Sequence, residues 1–213
     1  ARVEAIGGIN IPSVQAVSVE EDGCWSITRD YIEGKTLTEL MKENPDKRDE
    51  YLNQMVELQL MIHSKTCPLL NKLKDKMARQ ISEMEELDPV NRYDLLTRLD
   101  STPKHIKLCH GDFQPDNIIV KEDGTMYVVD WVHATQGNAS ADIANTYLLL
   151  KLQYSDSSID IADMYMTQFC AATDTKKSYV TGWLPIVAAA RMAKNKPDEK
   201  ELLEHWVNVV DFQ

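Results

Sequence analysis

Residues 110–117, His-Gly-Asp-Phe-Gln-Pro-Asp-Asn, are followed by two β-branched runs and an aspartate, and this stretch decides the fold. The runs 118–120 and 126–129 flank a turn that contains Asp-Gly, a strong signal for a β-hairpin. The second run leads directly into Asp130. We therefore expect the hairpin to return the chain, so that Asp130 approaches the loop that carries Asp112 and Asn117.

These three polar residues suit phosphoryl transfer from a nucleotide. That reaction needs a carboxylate to orient the attacking hydroxyl and accept its proton, and oxygen ligands for Mg²⁺. Asp112 and Asn117 keep the four-residue gap of the protein-kinase signature H-R-D-L-x-x-x-N, which a metal-binding D-F-G follows. Gly111 replaces the arginine of that signature, which points away from protein kinases.

Each of these residues also has a simpler interpretation. Asp112 and Asn117 could cap local backbone N–H groups, and Asp130 could be a turn residue at a strand end. His110 is better explained as a hydrogen-bonded core histidine than as an acid or base. Asp142 could be the N-cap of the helix that follows it, in addition to any supporting role.

The rest of the chain predicts an α+β fold, with a mostly β front and a larger helical body that carries the hairpin. Alternating apolar residues on either side of a Glu-Asp-Gly turn predict a first hairpin. Apolar residues three and four apart predict helices afterwards, with Pro45 separating the first two. The predicted β segments are 9–19 and 24–32, and the predicted helical segments are 37–41, 52–62, 69–84, 89–99, 139–150 and 183–192, with helical spacing up to Val210.

Together with Val-Val-Asp-Trp at 128–131 and Ala-Ser-Ala-Asp-Ile-Ala at 139–144, residues 110–117 resemble the aminoglycoside phosphotransferase and choline kinase family. The members of that family are small-molecule kinases of the protein-kinase-like fold. The resemblance implies that Asp112 is the catalytic base and that Asn117 and Asp130 are Mg²⁺ ligands. It also implies that His110 and Asp142 support the catalytic loop.

Residues 30–34, Asp-Tyr-Ile-Glu-Gly, resemble the hinge of these enzymes. The resemblance implies that backbone groups of Asp30 and Ile32 pair with the adenine edge of the nucleotide. It divides the chain into residues 1–34, the end of a β N-lobe with the hinge, and residues 35–213, a helical C-lobe with the catalytic loop and the acceptor pocket. The stretch 183–191 is similar to a late helix of bacterial members.

The sequence departs from the family pattern before the hinge. Complete kinases of this type carry a glycine-rich loop and a phosphate-binding lysine there. In this chain the first lysine is Lys35, and the pair Gly7-Gly8 is too short for such a loop. We expect that the chain as given lacks the first strands; the alternative is a nucleotide-binding relic with poor activity. Gln114 also stands where many relatives carry histidine, so this side chain does not titrate.

Charge and composition bound the partners. The chain of 213 residues has a formal net charge of -11, which lacks the attraction that nucleic-acid binding needs. This charge suits a cationic or metal-bound partner, and plain solubility explains it equally well. No run of apolar residues reaches the length of a membrane span, and residues 1–10 do not resemble a signal peptide. We expect a cytoplasmic protein with no nucleic-acid or membrane partner.

The sequence therefore predicts a Mg²⁺-dependent phosphotransferase that moves the γ-phosphoryl group of ATP, with GTP as an alternative, to a hydroxyl of a small polar molecule. The acidic charge favours an acceptor that resembles an aminoglycoside or choline. A second hypothesis is a pseudokinase-like module that binds a nucleotide or metabolite without catalysis. A third is a helical interaction protein in which the motif is accidental.

Overall fold

The computed structural model describes residues 2–155 and 157–208, and within them seven short strands precede or separate nine α-helices. The strands are β1 (Val14–Val19), β2 (Trp25–Arg29), β3 (Lys35–Thr36), β4 (Lys107–Cys109), β5 (Ile118–Val120), β6 (Met126–Val128) and β7 (Thr135–Gly137). The helices are α1 (Leu37–Glu43), α2 (Arg48–His63), α3 (Leu73–Ser82), α4 (Pro89–Ser101), α5 (Ala139–Gln153), α6 (Ile161–Thr173), α7 (Lys177–Thr181), α8 (Leu184–Met192) and α9 (Lys200–Asn208).

Three small antiparallel sheets carry the connections that matter for the site. β1 pairs with β2, β5 pairs with both β3 and β6, and β4 pairs with β7. The predicted hairpin at 118–129 is present, and its turn has the expected chemistry: Gly124 has a φ of 83°, and the Asp123 carboxylate accepts a hydrogen bond from the Thr125 N–H at 2.9 Å. The first hairpin, at 14–29, is also present.

The sequence did not predict the pair β4 and β7. Each strand has three residues, which is too few for an alternating pattern to stand out. The pair matters because β4 ends at Cys109, one residue before the loop of residues 110–117, and β7 leads into α5. The two ends of this short sheet therefore fix where the loop begins and where α5 starts.

Local signals explain where the helices begin. Thr36 and Glu39 form a reciprocal capping box at the start of α1, and Asp88 caps α4, whose first residue is Pro89. Asn138, rather than Asp142, caps α5 by accepting a hydrogen bond from the Ser140 N–H at 2.9 Å. The N-cap interpretation of Asp142 is therefore wrong.

The hydrophobic core is formed by helices that precede the loop in the chain and by helices that follow it. α5 packs against α6 and α8, and α2 packs against α6. Most of α5 is buried, as expected of a helix that is surrounded on all sides. No helix within 2–155 or 157–208 is long and apolar enough to cross a membrane. The predicted helical spacing ends at Val210, which lies outside the described residues.

Candidate active site

The hairpin brings Asp130 to the loop 110–117 through backbone pairing. The Val129 N–H donates to the Asn117 carbonyl oxygen at 3.0 Å, and the Val129 carbonyl oxygen accepts a hydrogen bond from His110 Nε2 at 3.0 Å. Both ends of the loop are thus hydrogen bonded to the residue before Asp130. The expected approach of this aspartate to the loop is present in the backbone geometry.

Asn117 connects the two ends of the loop from within. Its Nδ2 donates to the backbone oxygen of Asp112 at 2.8 Å and lies 3.4 Å from Asp112 Oδ2. Because the nitrogen of the amide is used in this way, Oδ1 is left as an acceptor, and it has no hydrogen-bond partner among residues 2–155 and 157–208. The capping interpretation therefore fits Asn117 only in part.

Asp130 stands in an unusual backbone conformation with an open carboxylate. Its φ of 58° and ψ of 61° lie in the left-handed region, which costs a non-glycine residue about 1–2 kcal/mol. In the described part of the chain its carboxylate makes no hydrogen bond or ion pair. Strain of this type is concentrated at functional sites. An open carboxylate and an open amide oxygen on adjacent backbone are the oxygen donors that Mg²⁺ takes, so the residues fit this ion.

Behind the loop lies a buried hydrogen-bond network, which we call the Asp142 network: Asp142, His63, Gln59, Thr146 and Tyr165. Asp142 Oδ1 accepts from the Gly111 N–H at 2.8 Å, and Oδ2 accepts from the His110 N–H at 3.1 Å. Oδ2 also faces His63 Nε2 at 2.9 Å and Gln59 Nε2 at 3.4 Å. Asp142 therefore ties the backbone of the loop to helices α2 and α5.

The protonation state of Asp142 follows from these contacts. Burial by itself would raise the pKa of this carboxyl group, because Asp142 is only 2% exposed. The hydrogen bonds from His63 and from the Gly111 N–H outweigh burial, and the pKa lies below its usual value. The network therefore holds a carboxylate in the protein interior.

His110 is a buried structural histidine, as its residue context indicated. Its Nε2 donates to the Val129 oxygen, and its Nδ1 accepts from the Asp112 N–H at 3.2 Å. Both ring nitrogens are thus used by the neutral form, and burial lowers the pKa of the ring. The ring also packs against Trp131, with 4.5 Å between centroids.

Gly111 is the residue that lets the loop pass close to the following segment. Its φ is 80°, and a Cβ atom at this position would lie 2.5 Å from the backbone oxygen of His133. Real contacts of this kind are essentially never so short, so no other residue fits without a backbone shift. The glycine that distinguishes this loop from the protein-kinase signature therefore has a steric cause.

The segment 30–34 joins β2 to β3, the strand that pairs with β5 of the second hairpin. The Asp30 N–H donates to the Ser13 oxygen at 2.9 Å, which extends the pairing of β1 and β2. Within the described residues the Ile32 backbone makes no hydrogen bond. Gly34 packs against β5, since a Cβ there would lie 2.5 Å from the Val120 oxygen. The role of Asp30 and Ile32 in nucleotide binding stays a prediction.

A hollow of about 260 Å³ opens beside Asp112. Its lining includes Asp112, Gln114, Leu149 and Gln153, together with charged residues from the end of α8 onward. One of them, Arg191, forms a buried bidentate ion pair with Glu199, with nitrogen–oxygen distances of 2.6 and 2.7 Å. The region after α8 therefore builds one wall of the pocket next to the expected base.

Sequence reasoning missed several residues that hold or line the site. His63 and Gln59 lie about 80 residues before Asp142 in the chain, and only the packing of α2 reveals their role. Their one sequence signal was a polar pair four residues apart on a helix that is otherwise apolar on that face. Asn145, which donates to the Gly111 oxygen at 3.2 Å, and Lys194 carried no signal.

The fold and the site together define a class of protein, and comparisons with known proteins agree. The family model described as the phosphotransferase enzyme family matches residues 5–179. This chain therefore belongs to that family. This match confirms the predicted family and the class of small-molecule phosphotransferase that it implies. No curated protein sequence matches the chain.

Solved structures share the protein-kinase-like α+β fold, which confirms the predicted fold class. Aminoglycoside phosphotransferase APH(4)-Ia is similar with a TM-score of 0.69 and 14% identity, over 96% of this chain and 77% of that one. Choline kinase LicA from Streptococcus pneumoniae is similar with a TM-score of 0.61 and 15% identity, over 100% and 72% of the two chains. A GDP complex of a variant aminoglycoside 2′-phosphotransferase-IIIa has a TM-score of 0.59 and 16% identity, over 95% and 76%.

Proposed function

We propose that this protein is a small-molecule kinase that transfers the γ-phosphoryl group of ATP to a hydroxyl group of a small polar acceptor. The observation that carries the proposal is the arrangement of Asp112, Asn117 and Asp130. Asn117 is bonded through its nitrogen to Asp112, while its oxygen and the Asp130 carboxylate remain open on adjacent backbone. Membership of the phosphotransferase family supports the same reaction.

In this reaction Asp112 orients the acceptor hydroxyl and accepts its proton. The acceptor oxygen forms a bond to the γ-phosphorus, the bond from that phosphorus to the β,γ-bridging oxygen breaks, and ADP leaves. Asn117 Oδ1 and the Asp130 carboxylate would hold Mg²⁺. When bound, this ion neutralises charge on the phosphates and keeps them aligned. Asp142 and His110 keep the loop in position, so that the geometry is ready before the substrates arrive.

The nucleotide would lie between the part formed by residues 1–34 and the part formed by residues 35–213. Backbone groups of Asp30 and Ile32 would pair with the edge of its adenine ring. Two similar structures are complexes with adenine nucleotides and hygromycin B, and another similar structure contains GDP. We therefore propose ATP as the donor and treat GTP as the competitor to be tested. A cytoplasmic location suits an enzyme that uses either nucleotide.

The test is an assay of ADP formation from Mg²⁺-ATP with a panel of hydroxyl compounds, including aminoglycosides, choline, sugars and hydroxy acids. We expect turnover with at least one acceptor, and a loss of at least about 100-fold in the variant Asp112→Asn. Nucleotide binding by this variant should remain close to that of the wild type. GTP in place of ATP gives the nucleotide preference.

Two outcomes would contradict the proposal. Tight nucleotide binding with no turnover on any acceptor would favour the pseudokinase-like alternative. Near-normal turnover by Asp112→Asn would remove the assignment of the base while leaving the family intact.

A further inference from the structure

Two lysines lie next to the loop, in a cleft that Asp142 and Arg191 also line. Lys76 on α3 and Lys194, two residues after α8, both line a narrow cleft of about 60 Å³, which we call the lysine cleft. Gly111, His133 and Asn145 also line it. Lys194 in addition lines the larger hollow that contains Asp112. Arg191 lines both cavities as well, but it is paired with Glu199, so Lys194 is the cation without an acidic partner in the described residues that connects the lysine cleft with the expected catalytic base.

Neither lysine has an acidic partner in the part of the chain that the structure describes. Lys76 Nζ reaches only the His133 backbone oxygen, at 3.4 Å. The acids nearby are already used: Glu199 pairs with Arg191 and lies 3.2 Å from Lys196, and both oxygens of Asp142 accept hydrogen bonds from the loop. The two lysines thus remain as positive charge that the surrounding acids do not pair.

Burial and neighbouring positive charge destabilise the charged forms of both lysines. Lys76 is half-buried, and burial together with the charge of Lys194 lowers the pKa of Lys76. Lys194 is more exposed, at the mouth of the cleft, and burial and Arg191 lower the pKa of Lys194. Two like charges that are partly removed from water and have no counterion are stabilised when an anion binds between them. Asp112 lies near both lysines, Asp142 near Lys76 and Glu199 near Lys194, but none of these acids forms an ion pair with either lysine in the described residues.

We propose that the acceptor of this kinase carries an anionic group, a carboxylate or a phosphate-like oxyanion, which Lys76 and Lys194 hold while the hydroxyl group faces Asp112. This inference rests on the proposed function and specifies its substrate class. It opposes the expectation of a cationic acceptor drawn from the net charge of -11 over the whole chain, because the charge at the site differs from the total. The hollow of about 260 Å³ lies below the roughly 300–1,000 Å³ of pockets for drug-sized ligands, so the acceptor is small.

Asp198 and Glu199 also line the hollow and define its other side. Glu199 is neutralised by Arg191, whereas Asp198 is exposed and carries its charge into solvent. The anionic group is therefore expected on the Lys76 side, and the uncharged part of the acceptor faces the 198–199 side.

The test measures binding to the protein of four probes of similar size: glycerate, glycerol 3-phosphate, glycerol and choline. Calorimetric titration is carried out on the wild type and on Lys76→Met and Lys194→Met. Lys200→Met is the matched control, because it removes the same charge from a lysine that pairs with Glu86 outside the cleft. We expect one of the two anions to bind and each cleft variant to weaken it at least about tenfold, with the control unchanged. Lys76→Arg should restore part of the affinity.

The two anionic arms separate the sources of the negative group, since the carboxylate is tested by glycerate and the phosphate by glycerol 3-phosphate. Stronger binding of choline or glycerol, equal loss in Lys200→Met, or binding of no anion would each overturn the proposal. So would cleft variants that weaken Mg²⁺-ATP binding instead, since the lysines would then serve the nucleotide. Failure of the proposed function has a different signature, because ADP formation would then be absent while anion binding persists.

Discussion

Two charged regions face the same short piece of backbone around Gly111, and they are opposite in how their charges are satisfied. In the first, Asp142 is buried and has four hydrogen-bond donors. In the second, Lys76 and Lys194 have no acidic partner within residues 2–155 and 157–208, although Asp142 also lines their cleft. A charge such as Asp142, whose hydrogen-bond partners all come from the protein, stabilises the fold. Charge without a partner, next to an expected base, is available to a ligand, and this difference is the basis of the proposed anionic acceptor.

The largest loss of stability should come from a substitution of Asp142, the charge whose hydrogen bonds are all made within the protein. Asp142→Asn places an NH₂ group against the donors that now bind a carboxylate, and we expect the free energy of unfolding to fall by about 2–4 kcal/mol. Because the pKa of Asp142 is lowered in the folded state, its contribution is complete above the unfolded value of 3.8 and is lost as the pH falls further. Urea unfolding at pH 7 and pH 3 measures both. Asp112→Asn is the contrast: it should keep most of the stability and lose turnover.

The second largest loss of stability should come from a substitution of Gly111. In Gly111→Ala a Cβ atom meets the His133 oxygen in addition to the cost of positive φ, and we expect a loss of about 2 kcal/mol or more. Gly124→Ala is the matched control, because Gly124 has a φ of 83° but its Cβ would meet nothing within 4 Å. It should cost about 1 kcal/mol. Equal losses in urea unfolding would show that the contact with His133 is unimportant.

The stability of the loop should depend on pH through His110. Burial lowers the pKa of this ring, although Asp142, Asp112 and Asp130 oppose the shift. The unfolded chain therefore binds a proton at a pH at which the folded chain does not. Stability should therefore fall as the pH drops below the unfolded value of 6.5, by up to about 1.4 kcal/mol per pH unit. Unfolding between pH 7.5 and 5 measures the slope.

His110→Gln should flatten this pH dependence, whatever it does to stability at pH 7. His105→Gln serves as the matched control, because it makes the same substitution at an exposed position outside the loop. A slope that survives in His110→Gln would assign the titration to another group.

The smallest effect on stability concerns Asp130. Asp130→Gly relieves the left-handed conformation, so stability should change by no more than about 1 kcal/mol and in the favourable direction. The matched control is Asp174→Gly, which relieves a similar φ of 54° at the end of α6. Only Asp130→Gly should lose the extra thermal stabilisation that Mg²⁺ gives to the ATP complex. The same loss in Asp174→Gly would contradict a metal-binding role for Asp130.

Several features were decided by the sequence alone. The spacing of Asp112 and Asn117, the Asp-Gly turn and Asp130 at the end of the second run were sufficient to predict the hairpin, the loop and the family. These signals are local: a turn requires particular residues, and a hairpin of fixed length determines where its second strand ends. The helices were predicted for the same reason, since their apolar periodicity is written along the chain.

Only the tertiary structure decided which charges are satisfied. Gln59 and His63 reach Asp142 because α2 packs beside the loop, and Lys76 and Lys194 line one cleft because α3 packs against α8. A total charge of -11 favours a cationic acceptor, whereas the local cleft favours an anionic one. The physical reason is distance: electrostatic interactions weaken with separation and screening, so a ligand responds to the few charges that the fold places around it, and the sequence gives only their sum.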